Sequence, residues 1–197
     1  MVAKLSHKIS LHLIKSNAIK QEEQDVYAYG IQLLLLSVLD WGITFFLMLL
    51  TKKIALSCVY FLVFISLRHQ CGGYHAKTHL RCNIAFNLVY LASLSLATLL
   101  PGQQYLLLLV IGEFANFWIL VQFAPIVHEN KPIGEKQLQR HKRTGRLLNV
   151  VFTGLAIIFA CLGQTSYGWM VLLGQLSVSI AIILEKEKHK KKGRCQV

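Results

Sequence analysis

Fifteen consecutive residues of this chain crowd together three histidines, two cysteines, two arginines and a lysine: Arg68-His69-Gln70-Cys71-Gly72-Gly73-Tyr74-His75-Ala76-Lys77-Thr78-His79-Leu80-Arg81-Cys82. Cys82 reads as a nucleophile and His75 as its base. The thiolate, not the thiol, attacks carbonyls; a free thiol titrates near about 8.5, and a neighbouring imidazolium supplies the thiolate at neutral pH. The same imidazole can return a proton to a leaving amine. A lone cysteine beside an apolar run more often simply begins a buried helix, as Cys58 is expected to lie within one. The histidine, glycines and arginines around Cys82 shift the reading toward chemistry.

Spacing constrains how this pair can meet. Seven residues along a helix separate two side chains by roughly 10 Å, more than twice a thiol–imidazole contact. His75 and Cys82 therefore cannot form a pair from within one regular helix. Gly72 and Gly73 free the backbone just before His75, so the expected geometry is a bent segment that brings His75 back toward Cys82. Arg68 holds a substrate carbonyl or carboxylate, or reaches a lipid phosphate; the residues alone leave both open. His75 and His79 with Cys71 and Cys82 make tetrahedral nitrogen–sulfur ligation conceivable. Against it, His-Ala-Lys-Thr-His lacks the glutamate base of helical zinc peptidases and places a lysine where a dication would sit. No metal and no cofactor is expected.

The elements that must position these groups are apolar. The 197 residues are 54% hydrophobic and 15% charged, with a mean hydropathy of +0.49. That balance excludes an ordinary soluble domain and implies an integral membrane protein. A net charge of +12 comes without the aromatic-interleaved basic face that reads bases, so no nucleic acid partner is expected; membrane lipids and an acidic substrate fit the charge better. The five cysteines are odd in number and scattered, which is no disulfide framework. Residues 1–30 lack the order of a cleavable signal peptide, so membrane entry is expected to use the spans themselves.

Leu5, Ile9 and Leu13, with Lys4, Lys8 and Lys15 among them, predict an interfacial amphipathic helix within residues 1–24. Residues 25–184 hold six apolar runs: 27–50, 54–67, 84–100, 105–123, 147–162 and 169–184. The second, at fourteen residues, is too short to cross about 30 Å of hydrocarbon alone. Residues 124–146 read as a polar loop and residues 185–197 as a mobile basic tail. The expected fold is all-α and polytopic, with six transmembrane helices. Six spans place nineteen of the twenty-one lysines and arginines on one side, only Lys52 and Lys53 facing away. By the positive-inside rule that side is cytoplasmic, together with both termini, segment 68–82 and loop 124–146. Asp40 and Glu113 lie inside spans, where a carboxylate is a functional candidate by default. Short spans with polar intrusions call for neighbours, which fits a homodimer without defining an interface.

Arg68, Gly72-Gly73, His75 and Cys82, followed by Ala124-Pro125 and His128-Glu129-Asn130-Lys131-Pro132, resemble the accessory gene regulator protein B family of bacterial membrane cysteine endopeptidases. The resemblance runs from the amphipathic helix to the sixth span. It implies processing of a short pheromone propeptide in quorum sensing, with His75 and Cys82 as the catalytic pair, Arg68 assisting, and Lys131-Pro132 in the substrate-handling region. The implied chemistry is attack by the Cys82 thiolate on a peptide carbonyl, release of the carboxyl-terminal piece, and a thioester on the enzyme. Water would complete proteolysis; an internal substrate cysteine would exchange one thioester for another and close a thiolactone. A site that excludes water favours closure. Two rival classes are a non-catalytic or metal-binding membrane scaffold and a small-peptide transporter. The transporter reading is weakened by a reactive segment at one face rather than at the midplane.

Overall fold

The computed structural model describes residues 2–74, 78–100, 106–126 and 134–194, the side chains of residues 189 and 191–194 excepted. The described residues form seven α-helices and two compact units, 1–52 and 53–197.

In the first unit, α1 (Val2–Lys15) packs on α2 (Gln24–Thr51). A 3₁₀ turn at Gln21–Glu23 connects them, and the Glu23 carboxylate accepts the Lys20 N–H at 3.2 Å. The buried residues of α1 are Ser6 and Ser10. Their hydroxyls donate back to the Ala3 and His7 carbonyls, which lets a polar residue be buried without an orphaned donor. Leu5 and Leu11 point outward. α2 leaves Leu34, Val38, Phe46 and Leu50 exposed, an apolar surface suited to lipid. Asp40 is half-buried on this helix.

In the second unit, α7 (Thr165–Arg194) packs against each of α3 (Ile54–Cys71), α4 (His79–Leu99), α5 (Leu106–Phe123) and α6 (Glu135–Cys161). Val171, Val178 and Ile182 of α7 meet Val63 and Leu67 of α3, Leu120 of α5 and Phe152 of α6 in the core. Small residues allow the close approach: a Cβ on Gly168 would lie 3.0 Å from the Ala156 carbonyl oxygen, and one on Gly174 would lie 3.2 Å from Val63. Aromatic rings fill the α3–α4 junction, with centroids 4.7 Å apart for Phe61–Tyr90 and 4.8 Å for Phe64–Phe86.

Among the described residues six helices are long and apolar enough to cross a membrane: Gln21–Thr51, Ile54–Cys71, His79–Leu99, Leu106–Phe123, Glu135–Cys161 and Thr165–Lys188. The protein is an all-α, multi-pass membrane protein. Three boundaries depart from the hydropathy reading. α3 does not stop at Leu67 but continues through Cys71, giving 18 residues, because Arg68 and Gln70 find partners that let polar groups stay helical. Residues 135–146 of the expected loop belong to α6. The expected mobile tail is helical as far as Arg194, anchored where the Lys186 ammonium sits 3.8 Å above the Phe123 ring centroid.

Candidate functional site

Cys82 lies on the first turn of α4. Thr78 caps that helix: its hydroxyl accepts the Arg81 N–H at 3.4 Å and its carbonyl accepts the Cys82 N–H at 3.2 Å. A threonine before a helix satisfies backbone donors that the first turn leaves without intrahelical partners. The cap thus sets where α4 begins and holds the half-buried Cys82 sulfur near the end of a helix that favours negative charge.

The chain before the cap is shaped by its two glycines. Gly72 has φ +71° and Gly73 φ +130°, conformations that side-chain-bearing residues rarely adopt. Space forbids a side chain as well. A Cβ on Gly72 would stand 2.6 Å from the Ile126 carbonyl oxygen, and one on Gly73 would stand 2.0 Å from Arg68 Nη1 and 3.2 Å from Ala181.

Arg68, on the last turn of α3, folds over this segment. Its Nη1 donates to the Gly72 carbonyl at 2.9 Å and its Nη2 to the Tyr74 carbonyl. The guanidinium fork therefore grips its own backbone, a use of Arg geometry that lysine cannot copy. It also lies within electrostatic reach of the Cys82 sulfur and the Glu185 carboxylate. From the other side, Ala181 of α7 accepts the Tyr74 N–H at 2.8 Å. Gly72–Tyr74 is thereby held by α3 and α7 together.

The Ala124-Pro125 segment closes against the same place. The Ile126 N–H donates to the Cys71 carbonyl at 3.0 Å, and Gln70 Oε1 lies 2.8 Å from His141 Nδ1 of α6. A small crevice here is lined by Cys71, Ala124, Pro125, His141, Gly145 and Arg146 among others.

The structure thus brings Arg68, Gly72, Gly73 and Cys82 to the junction of α3, α4 and α7. His75, Lys131 and Pro132 lie outside the described residues, as does the 128–132 segment. Of the four residues weighed for metal, Cys71 is buried against α6, where a Cβ on Gly145 is 3.0 Å from its sulfur, and His79 is exposed. Glu185 and Lys188 of α7 carry no signal in the hydropathy pattern, since they fall in a lysine-rich stretch. Yet the Lys188 ammonium pairs with Glu185 and sits 5.4 Å from the Tyr74 ring centroid.

Glu113 belongs elsewhere, to a polar seam between α5, α6 and α7. Thr153 Oγ1 donates to its Oε2 at 2.7 Å, Ser179 Oγ donates to Asn116 Oδ1 at 2.6 Å, and Asn116 Nδ2 to Asn149 Oδ1 at 3.2 Å. The Gln175 amide lies between Glu113 and Asn149, and with its nitrogen turned toward Glu113 it donates to Oε1 at 3.0 Å and Oε2 at 3.1 Å.

Residues 6–183 match the family Accessory gene regulator B (AgrB), and the chain belongs to that family. An AgrB-like protein of Listeria innocua serovar 6a is 24% identical over 182 residues, 90% of this chain and 86% of the relative. Accessory gene regulator protein B of Staphylococcus intermedius is 23% identical over 154 residues, 78% and 79% of the two chains. An AgrB-like protein of Clostridium perfringens (strain SM101 / Type A) is 25% identical over 186 residues, 91% and 83%. No solved structure matches the chain.

Proposed function

We propose that this AgrB-family protein is a membrane cysteine endopeptidase that cuts a short quorum-sensing propeptide and promotes its cyclisation. The observation that carries the reading is the placement of Cys82 on a capped first turn, within electrostatic reach of an arginine that clamps the Gly-Gly segment leading to His75. His75 is the base in this reading. The Cys82 sulfur bonds to the scissile carbonyl carbon, and the imidazolium proton passes to the leaving nitrogen as the C–N bond breaks. The acyl group remains as a thioester. A thiolate of the bound peptide then attacks the same carbon, Cys82 leaves as thiolate, and a thiolactone forms; a substrate hydroxyl would give a lactone. An amide is more stable than a thioester, so removal of the released carboxyl-terminal fragment drives the first step.

The loaded side of the protein faces the cytosol of a bacterial cell in this reading, with both termini and the site on it. The basic start of α6, with Lys136, Arg140, Arg143 and Arg146, and the Lys131-Pro132 region meet an acidic carboxyl-terminal segment of the propeptide. A homodimer is compatible with the exposed apolar helices.

Intact-mass measurement of the purified protein mixed with its propeptide tests the reading, with Cys82→Ala beside wild type. The expected result is a hydroxylamine-labile adduct and a released carboxyl-terminal fragment on wild type alone. Folded wild-type protein that gives neither with the right propeptide would remove the peptidase assignment.

A further inference from the structure

Glu185 is only 2% exposed, although it stands in a stretch whose other charged side chains, Lys186, Glu187, Lys188 and Lys190, face outward. Its ordinary explanation is the pair with Lys188 three residues on, at 3.1 and 3.2 Å. That pair does not account for the burial. The Lys188 side chain is 47% exposed, whereas withdrawing a carboxylate from water costs several kcal/mol unless a charge inside repays it. The inside charge is Arg68, whose guanidinium feels both Glu185 and Cys82.

Both cations around Glu185 bear on the same three residues. Arg68 donates to the carbonyls of Gly72 and Tyr74, and Lys188 sits over the Tyr74 ring. One helical turn before Glu185, Ala181 receives the Tyr74 N–H and fills the space beside Gly73. The last turns of α7 thus form a platform under Gly72–Tyr74, with one buried carboxylate paired with Lys188 and within electrostatic reach of Arg68.

We propose that Glu185 is a positioning residue of the candidate site: its carboxylate fixes Arg68 and Lys188, and through them the Gly72–Tyr74 segment that leads to His75. The assignment rests on the peptidase reading for its functional consequence, but not for its structural one. Glu185 touches no reacting atom. Its effect falls on how firmly Gly72–Tyr74 is held, so it acts on the rate of acylation rather than on capture of the propeptide.

Two measurements on the full-length protein in lipid nanodiscs test it, using Glu185→Gln, Glu185→Asp and the exposed Glu187→Gln. The first is hydrogen–deuterium exchange of the peptide containing Gly72–Tyr74, which needs no substrate. Glu185→Gln is expected to speed its exchange while peptides from α5 and α6 keep wild-type rates; Glu185→Asp is expected to fall between, and Glu187→Gln to match wild type. Unchanged exchange in Glu185→Gln would overturn the proposal, as would a rise spread over every helix. The second is the rate of adduct formation on Cys82 with propeptide. Misplacement on this scale lowers rates by about 10- to 100-fold, so kcat should fall by that factor in Glu185→Gln with KM within about two-fold, and partly recover in Glu185→Asp. A kcat equal to wild type would overturn the functional half. If wild type itself forms no adduct, the peptidase reading fails while the exchange result still decides whether Glu185 holds Gly72–Tyr74.

Discussion

Polar side chains enter the apolar bundle at several places, and two of these places use them differently. Between α5, α6 and α7, the side chains of Glu113, Asn116, Asn149, Thr153, Gln175 and Ser179 bond chiefly to one another. At the junction of α3, α4 and α7, Arg68, Thr78 and Lys188 bond or pack mainly against a short non-helical segment and its cap. Helices in lipid carry their own backbone hydrogen bonds, so side chains that link only side chains set how helices pack. A segment without helical bonds needs its carbonyls and N–H groups satisfied from outside. The side chains that satisfy them also dictate where its residues point. The first region therefore bears on stability and the second on geometry. An intramembrane carboxylate such as Glu113 is a functional candidate by default, but here its partners are those of a packing joint.

The largest effect that separates the two regions is expected from Gly73→Ala. The new methyl would stand 2.0 Å from Arg68 Nη1. A guanidinium at the end of a flexible chain can swing away, so the clash is relieved by surrendering the clamp rather than by unfolding. The residue must also adopt φ +130°, a strain of order 1–3 kcal/mol for a residue with a side chain. Acylation of Cys82 by propeptide should drop by about 100-fold or more, while membrane insertion and helix content match wild type. Gly30→Ala, which meets nothing within 4 Å, should acylate at the wild-type rate. Equal rates for both variants would show that the clamp does not govern the site.

A second variant probes the seam. Gln175→Leu removes the amide that lies between Glu113 and Asn149. Asn149 Nδ2 has no hydrogen-bond partner among the described residues. The substitution should lower stability by about 1–2 kcal/mol, the scale of interhelical hydrogen bonds and of an unsatisfied buried group. Thermal unfolding in detergent reads that loss. The specific activity of the folded fraction should stay within about two-fold of wild type. A large loss of activity without a loss of stability would move the seam into the functional machinery.

The six helices were legible because lipid imposes long apolar runs, and six apolar runs meet the six candidate spans. What hydropathy could not see is a polar residue kept helical by a tertiary partner. Arg68, His69 and Gln70 look like the end of a span, yet α3 runs on because Arg68 is engaged by Gly72 and Tyr74 and Gln70 by His141. The same blindness hid the last turns of α7. Glu185, Lys186 and Lys188 read as solvated charge, whereas Glu185 is buried against Lys188 and the two lysines sit over the Phe123 and Tyr74 rings. Segment 68–82 could be singled out because reactive residue types were crowded together; Ala181 could not, since it contributes only a carbonyl and every residue has one. The expectation that two side chains seven apart cannot pair from one helix fits a helix that begins at His79, after the glycines.

The smallest expected effect tests whether the α3–α7 contact belongs to the structural class. Tyr60 OH lies 2.9 Å from Ser177 Oγ in the buried interior, and the serine hydroxyl also reaches the Leu173 carbonyl at 2.7 Å. Tyr60→Phe removes one partner but leaves the serine satisfied within its own helix, so the loss should be about 0.5 kcal/mol. Ser177→Ala leaves the tyrosine hydroxyl its bond to Ser93 of α4 and should cost a similar amount. In a double-mutant cycle the coupling between the two should also be about 0.5 kcal/mol, read from unfolding of all four proteins under one condition, with Cys82 acylation unchanged throughout. α7 carries both Ser177 and, four residues further, the Ala181 carbonyl that holds Tyr74. A fall in acylation with no fall in stability would therefore mean that the register of α7 against α3 is transmitted to the Gly72–Tyr74 segment, and the division between packing and positioning would have to be drawn along α7 itself.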